Sequence, residues 1–203
     1  MSARTIGIVD YGVGNLASVY RSLHGLGYRC RVSREPDVLD QTDLLLLPGV
    51  GAFPTAMDAL HGCNLVGYLQ QSARKGAPIV GICLGMQLLS DGSEEHHYTA
   101  GLGLIPGNVT ALAPERWHIG WNTIEVLHRE PLLQPSDGQS LYFNHSYVFE
   151  PPQEYRSALA RLASPFTVAV RRENIVGLQF HPEKSQTAGQ LLLRNVIEGL
   201  CRD

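Results

Sequence analysis

The sequence predicts an α/β fold: three αβα layers around a mostly parallel central sheet, with a small added β region. Three observations predict it. Short apolar runs at 6–10, 43–47 and 78–82 alternate with stretches of helical periodicity. Those runs are apolar on consecutive positions rather than every second one, the pattern of strands buried on both faces by crossover helices. From about 101 to 127 the helical pattern stops, and glycine, proline and isolated β-branched residues recur, which predicts short strands or hairpins.

In chain order, 6–10 is a buried strand followed by the glycine-rich turn Tyr11-Gly12-Val13-Gly14. Residues 15–23 place Leu16, Val19, Tyr20 and Leu23 on one helical face; Asn15 is the candidate N-cap, and Gly25 or Gly27 the stop. Residues 30–32 form a second strand, and 43–47 a third that Pro48-Gly49 ends. Helices are predicted over 56–60 and 65–74, and a fourth strand over 78–82. Further strands are predicted over 140–149 and 166–179, the latter broken by a turn at 172–174. The segment 189–200 is an amphipathic helix with Leu192, Leu193, Val196 and Leu200 on one side. No repeat or low-complexity tract divides the 203 residues, so one domain over 1–203 is expected.

Composition narrows the function. A hydrophobic fraction of 44% with 17% charged residues supports a packed core. The net charge of −3 offers no basic surplus for a polyphosphate backbone, so no nucleic-acid partner is expected. No apolar run approaches the roughly 20 residues of a membrane helix, and Met1-Ser2-Ala3-Arg4 leads into too short a run for a signal sequence. Cys30, Cys63, Cys83 and Cys201 show neither CxxC pairs nor metal-ligand spacing, which predicts free thiols and a cytoplasmic setting. Lys75 and Lys184 are the only lysines among sixteen basic residues.

Gly81-Ile82-Cys83-Leu84-Gly85 lies between a strand and an apolar helical run. This is a nucleophile elbow with sulfur in place of the serine oxygen. The tight turn demands small residues two positions either side, and the following helix N-terminus favours an anionic sulfur. Such a nucleophile needs a base. In Gln179-Phe180-His181-Pro182-Glu183, His181 follows a strand, so it falls at a sheet edge, and Pro182 lets the Glu183 carboxylate turn back onto the imidazole. An acyl transfer also needs oxyanion donors, which the glycine-rich strand end Pro48-Gly49-Val50-Gly51 can supply through its backbone.

Other candidates carry less. The Gly12/Gly14 turn lacks the third glycine and the acidic residue of a dinucleotide site. His96-His97 beside Glu94-Glu95 has no evident third ligand, so no metal and no other cofactor is expected. Arg29, Arg31 and Arg34 read as a solvated strand face.

Together, Gly-Ile-Cys-Leu-Gly, Pro-Gly-Val-Gly and the late His-Pro-Glu resemble the class I (triad) glutamine amidotransferases, whose fold is flavodoxin-like. Asp10-Tyr11-Gly12-Val13-Gly14-Asn15, Gly120-Trp121-Asn122, Tyr142-Phe143-Asn144-His145-Ser146-Tyr147 and Phe180-His181-Pro182-Glu183-Lys184-Ser185 are similar to the glutaminase subunits of imidazole glycerol phosphate synthases. The resemblance runs along essentially the whole chain, in order. It implies hydrolysis of L-glutamine to glutamate and ammonia. It also implies a heterodimer with a (β/α)₈-barrel cyclase subunit that uses the ammonia to make imidazole glycerol phosphate and aminoimidazole carboxamide ribotide in histidine biosynthesis. By motif matching, Cys83 is the nucleophile, His181 the acid and base, and Glu183 its orienter, with Val50 and Gly51 at the oxyanion strand. Gln87, Glu95, His145 and Ser146 fall where the family holds glutamine; a carboxylate such as Glu95 suits an α-ammonium group. Asn15, Trp121, Tyr142 and Lys184 fall at the surface facing the cyclase. One stretch departs: the family often has Pro-His-Met before Gly-Trp-Asn, where this chain has Trp117-His118-Ile119.

Three rival readings stay open on sequence alone. The same triad serves glutaminase subunits of other pathways, such as pyridoxal phosphate or anthranilate synthesis, although Gly-Trp-Asn and Tyr-Phe-x-His-Ser-Tyr argue against them. It also serves a thiol hydrolase acting alone. A non-catalytic flavodoxin-like module requires Cys83, His181 and Glu183 to lie far apart, or Cys83 to be unreactive.

Overall fold

Apolar runs with glycine or proline at their ends build the sheet of the computed structural model, which describes residues 4–127 and 130–201. Met1-Ser2-Ala3, the start of the segment weighed as a signal sequence, lies outside the described residues. The elements in order are β1 (Thr5–Val9), α1 (Leu16–Gly25), β2 (Arg29–Ser33), α2 (Pro36–Leu39), β3 (Leu44–Leu47), α3 (Phe53–Gly62), α4 (Leu65–Arg74), β4 (Ile79–Ile82) and α5 (Leu84–Leu88). There follow β5 (Gly92–Ser93), β6 (Thr99–Ala100), β7 (Asn108–Ala111), β8 (His118–Thr123), β9 (Glu125–Val126), β10 (Ser140–His145) and β11 (Tyr147–Glu150). The chain ends with β12 (Arg156–Arg161), β13 (Pro165–Arg172), β14 (Ile175–Leu178) and α6 (Gln186–Leu200), the last preceded by a 3-10 turn at Pro182–Lys184.

The main sheet has the order β2-β1-β3-β4-β14-β13-β12-β9. Pairing is parallel from β2 through β14 and antiparallel beyond. Strand alternation sorts side chains into two cores. Ile6, Ile8, Leu44, Leu46, Val80 and Ile82 pack on the face covered by α1 and α6, through Val19, Leu23, Leu192, Leu193 and Val196. Val9, Leu45, Leu47 and Ile79 pack on the other face against Phe53, Met57 and Leu60 of α3, Leu65 and Leu69 of α4, and Leu84, Met86 and Leu88 of α5. The fold is thus the mixed α/β architecture expected, with a large, mostly parallel sheet. The added β region consists of a β10-β8 pair and a four-stranded sheet ordered β11-β7-β5-β6.

Several boundaries differ from those the sequence predicts, each for a physical reason. The strand expected over 140–149 is two strands: β10 pairs with β8, β11 pairs with β7, and the chain changes sheets at Ser146. Helix α3 starts at Phe53, before the apolar periodicity is visible, because Pro54 in its first turn has a backbone already set for a helix. Helix α6 begins at Gln186, directly after the 3-10 turn. Strand β12 is not among the predicted elements. Its alanines and flanking arginines have low strand propensity, yet Ala158 and Ala160 are buried and the strand pairs with β13. Helix α2 is a single turn opened by Pro36. Asn15 caps α1 as expected, its side chain accepting from the Ser18 N–H at 3.2 Å.

The two-core arrangement makes burial the determinant of stability. Leu46→Ala, at a fully buried central-strand position, is expected to cost about 2–5 kcal/mol in denaturant unfolding. Val32→Ala on the half-open edge strand should stay within about 0.5 kcal/mol. Similar losses at the two positions would contradict the layering.

Candidate active site

Strand β4 delivers Cys83 to the carboxyl edge of the sheet, and the chain turns into α5 through that residue. Cys83 has φ 55° and ψ −111°, a left-handed conformation costly for a side chain with a Cβ. Its neighbours make the turn possible. A Cβ at Gly81 would lie 2.5 Å from the Gly85 carbonyl oxygen, and one at Gly85 would lie 1.9 Å from the Leu47 oxygen. The small-residue requirement read from the sequence is therefore a backbone-to-backbone approach. The Cys83 N–H donates to the Leu178 carbonyl at 2.7 Å, which ties the turn to β14.

The parallel register of β4 and β14 pairs Leu178 with Ile82. Residues just past these positions leave the sheet at the same edge, which brings His181 beside Cys83. The His181 Nδ1 lies 2.8 Å from Glu183 Oε1, both side chains almost wholly buried. Burial alone would push the imidazole pKa down. Hydrogen bonds to Cys83 and Glu183, with their negative charges, outweigh it and lift the value to about 9. At neutral pH the ring is held as imidazolium between a sulfur and a carboxylate. The backbone around it is pinned: its N–H donates to the Tyr142 carbonyl at 2.8 Å. Ser185 Oγ donates to the His181 carbonyl at 2.7 Å and accepts the Tyr142 N–H at 2.9 Å.

The Pro48–Gly51 segment leaves β3 next to this pair, and Gly51 has φ +97°. Both ends of the segment are anchored. The Tyr11 hydroxyl donates to the Pro48 carbonyl at 2.7 Å, and the Phe53 N–H donates to Glu95 Oε2 at 2.8 Å. A cavity of about 360 Å³ is lined by Val50, Gly51, Cys83, Gln87, Glu95, His145, Ser146 and His181, with Glu183 behind the imidazole. All eight of these predicted nucleophile, base, oxyanion and substrate positions therefore meet in one place, which removes the separation that a non-catalytic module would require.

The lining residues differ in what they have to offer. Gln87 Nε2 donates to the Tyr147 carbonyl and to Gln179 Oε1, both at 3.0 Å, so its Oε1 is the atom left for a ligand. Gln179 Nε2 in turn lies 3.8 Å from Cys83 Sγ. His145 has both ring nitrogens engaged, with Tyr147 O at 2.9 Å and His118 at 3.1 Å. It lines the cavity with neither ring nitrogen left unbonded. The Tyr142 ring lies 6.5 Å from that of His181; the Trp121 and Tyr142 rings meet edge-on at 6.0 Å, and Lys184 Nζ sits 6.0 Å above the Tyr142 ring. The discounted His96 and His97 are exposed, and among the described residues no cluster suits a metal ion.

Sequence reasoning missed Tyr11, His118, Gln179 and Ser185. Tyr11 and Gln179 each stand one or two residues past a strand end, where a polar atom can reach the edge. His118 is the inward-facing position between exposed Trp117 and Ile119, a strand-alternation signal that marks it as buried.

Glu183→Gln is expected to lower the His181 pKa from about 9 toward that of an ordinary imidazole, read by NMR titration, and to slow Cys83 alkylation by iodoacetamide at neutral pH. An unchanged titration would remove Glu183 as the orienting group. The sign also carries to stability. The imidazolium contribution is complete below about pH 6.5 and is lost as pH rises through about 9, so Glu183→Gln should flatten the decline of unfolding free energy across that interval.

Known proteins resemble this chain along nearly its whole length. The glutamine amidotransferase class-I family profile matches residues 7–199. The imidazole glycerol phosphate synthase subunit HisH of Streptococcus sanguinis is 40% identical over 195 residues, 94% of each chain. That of Syntrophotalea carbinolica is 41% identical over 199 residues, 93% of this chain and 97% of its own. Among solved structures, PurLQS from Thermotoga maritima shares the fold with a TM-score of 0.78 at 17% identity, covering 98% of this chain and 99% of that chain. A glutamine amidotransferase from Thermotoga maritima does so with a TM-score of 0.72 at 15% identity, covering 100% of both chains. Matched by the family profile over residues 7–199 and by these HisH relatives at 40–41% identity along nearly its whole length, the chain belongs to the class-I glutamine amidotransferases and, among them, to the HisH subunits of imidazole glycerol phosphate synthase.

Proposed function

We propose that the chain, acting as one glutamine amidotransferase domain over 1–203, hydrolyses L-glutamine through a Cys83 thioester and passes the ammonia to a (β/α)₈-barrel cyclase subunit. The observation that carries this is the Cys83–His181–Glu183 line at the wall of the cavity. The Cys83 sulfur attacks the carboxamide carbon, forming the C–S bond. Backbone N–H groups near Val50 and Gly51 receive the developing oxyanion. The tetrahedral intermediate collapses with breakage of the C–N bond, and His181 gives its proton to the departing amine. His181, now neutral, takes a proton from water as that water attacks the thioester, releasing glutamate and restoring the sulfur anion. Glu183 holds the imidazole in the required tautomer throughout.

Binding chemistry supports glutamine as substrate. Glu95 presents a carboxylate toward an α-ammonium group, and Gln87 Oε1 remains available as an acceptor. Ser146 adds a hydroxyl at the point where the chain changes sheets. Ammonia released into water is diluted and protonated, so a rim closed by a partner preserves it as the free nucleophile. Trp121, Tyr142 and Lys184 form a connected aromatic–cation group at that rim, and Asn15 is exposed at the start of α1. Trp117 and Ile119, where the family often has proline and methionine, widen the same face with apolar surface. These features suit the cyclase as partner. A cytoplasmic setting suits a mechanism that needs a reduced thiol.

Glutamate release from L-glutamine tests the reading, with the chain alone, with a purified cyclase, and with the cyclase's ribonucleotide ligand added. Strong stimulation by the liganded partner, abolished by Cys83→Ala, is the expected outcome. High activity alone, indifferent to the cyclase, would make the protein a stand-alone thiol hydrolase.

A further inference from the structure

Strand β8 presents two unlike faces. Ile119 and Trp121, with Trp117 just before the strand, are exposed, while His118 between them is turned inward and is 6% exposed. Its ring stacks on Phe143 with centroids 4.5 Å apart and meets Phe166 edge-on at 5.6 Å. An imidazole in this aromatic setting is costly unless its nitrogens are satisfied.

They are, and in a forced order. A carbonyl only accepts, so His145 Nδ1 donates to Tyr147 O. The Nε2 of a neutral His145 is then an acceptor, and His118 Nδ1, 3.1 Å away, donates to it. That leaves His118 Nε2 as the acceptor facing Asn122 Nδ2 at 3.3 Å. The Asn122 amide is fixed independently, since Nδ2 also donates to Arg161 O at 3.0 Å and Oδ1 accepts the Thr123 N–H at 2.8 Å. Both ends of the chain of hydrogen bonds are thus anchored in backbone, and each ring has one permitted tautomer. The Tyr147 carbonyl also accepts from Gln87, which leads through Gln179 toward Cys83 Sγ.

We propose that His118 is a positioning residue for glutamine hydrolysis: from strand β8 it fixes the tautomer and pose of His145 and, through the shared Tyr147 carbonyl, the carboxamide of Gln87. The proposal deepens the glutaminase reading and rests on it. His118 touches no cavity atom in this scheme; it acts by satisfying His145 Nε2. Without that donor, His145 Nε2 is a buried acceptor left unpaired, and the ring gains by turning away or taking up a proton. The charged and titratable groups that face the pair are His181 on the His145 side and Glu115 on the His118 side. Burial holds both rings neutral, His145 down to about 4. Protonation of His145 would set two N–H groups against each other across 3.1 Å.

Two variants and one measurement on the unaltered chain test this. His118→Phe keeps the ring volume and the aromatic packing but has no donor. His118→Gln keeps a side-chain N–H. In the complex with the cyclase, His118→Phe should lose roughly tenfold to a hundredfold in kcat/KM for glutamine, mainly through KM, and His118→Gln should restore most of it. Nitrogen NMR of the unaltered chain should show His145 protonated at Nδ1 alone, with a raised His145 pKa in His118→Phe. A His145 protonated at Nε2 in the unaltered chain overturns the proposal with no variant needed. So does a folded His118→Phe with unaltered kinetics and titration. A complex that releases no glutamate with any variant overturns the glutaminase reading instead, while the tautomer measurement still decides the role of His118.

Discussion

The site depends on one close approach, that of the first turn of α5 to the ends of β3 and β4. Gly85 packs against the Leu47 carbonyl, and Gly81 against Gly85, at separations no side chain tolerates. This contact has two consequences. It permits the left-handed backbone at Cys83, which sets this buried residue at the cavity wall. It also brings α5 against the start of Pro48–Gly51, where a Cβ at Gly49 would lie 2.8 Å from the Gly85 nitrogen. The proposed nucleophile and oxyanion turn are thereby set by the same backbone packing, and their separation does not rely on long side chains.

The rest of the site is assembled by strand register. Parallel pairing of β4 with β14 makes the residues after Ile82 and Leu178 neighbours, though they are far apart in the chain. Strand β10 helps hold the segment carrying His181, its Tyr142 carbonyl accepting from the His181 N–H and its Tyr142 N–H donating to Ser185 Oγ. The β10-β8 pair therefore serves both sides of the wall. It carries the Trp121–Tyr142 pair on one side, and on the other it holds the His181 backbone and, through His145, frames the pocket. The oxyanion segment has an analogous pair of anchors in Tyr11 and Glu95. The second of these is also the carboxylate suited to the substrate's ammonium group, so substrate binding and the hinge of the turn share one side chain.

Much of this was legible in the sequence wherever a local rule applied. Continuous apolar runs marked β1, β3 and β4; the helical period marked α1, and it placed α4 at its observed limits. The pattern Gly-Ile-Cys-Leu-Gly specified the elbow because the steric demand is local. Residues whose roles depend on distant partners were not legible. Gln179 is an ordinary polar residue until β14 sets it beside Gln87, and Tyr11 is unremarkable until its hydroxyl meets Pro48. Strand β12 escaped because burial by neighbours, not its own propensity, makes it a strand. The sheet change at Ser146 escaped because apolar residues continue on both sides of it, with only the phase altered. His145 shows the limit of motif transfer: its position lines the cavity as expected, but its ring nitrogens are already committed to Tyr147 and His118.

The two buried histidines of the cavity show how the fold assigns chemistry to identical side chains. His181 and His145 are both deeply buried, and burial alone would make both neutral. His181 faces a carboxylate 2.8 Å from Nδ1 and a sulfur beyond, so it is held protonated to about pH 9. His145 faces a carbonyl and a second imidazole, with no anion in its hydrogen-bond chain, and its pKa falls to about 4. In the proposed reaction one ring is thus the proton donor for the leaving amine, and the other is a fixed neutral wall. The separation is useful because a second imidazolium in so small a cavity would repel the substrate's ammonium group and lower the His181 pKa that the leaving group requires. Keeping His145 neutral is therefore part of keeping His181 charged; burial does most of this, aided by the neighbouring His118 and His181 and opposed by the Tyr147 carbonyl.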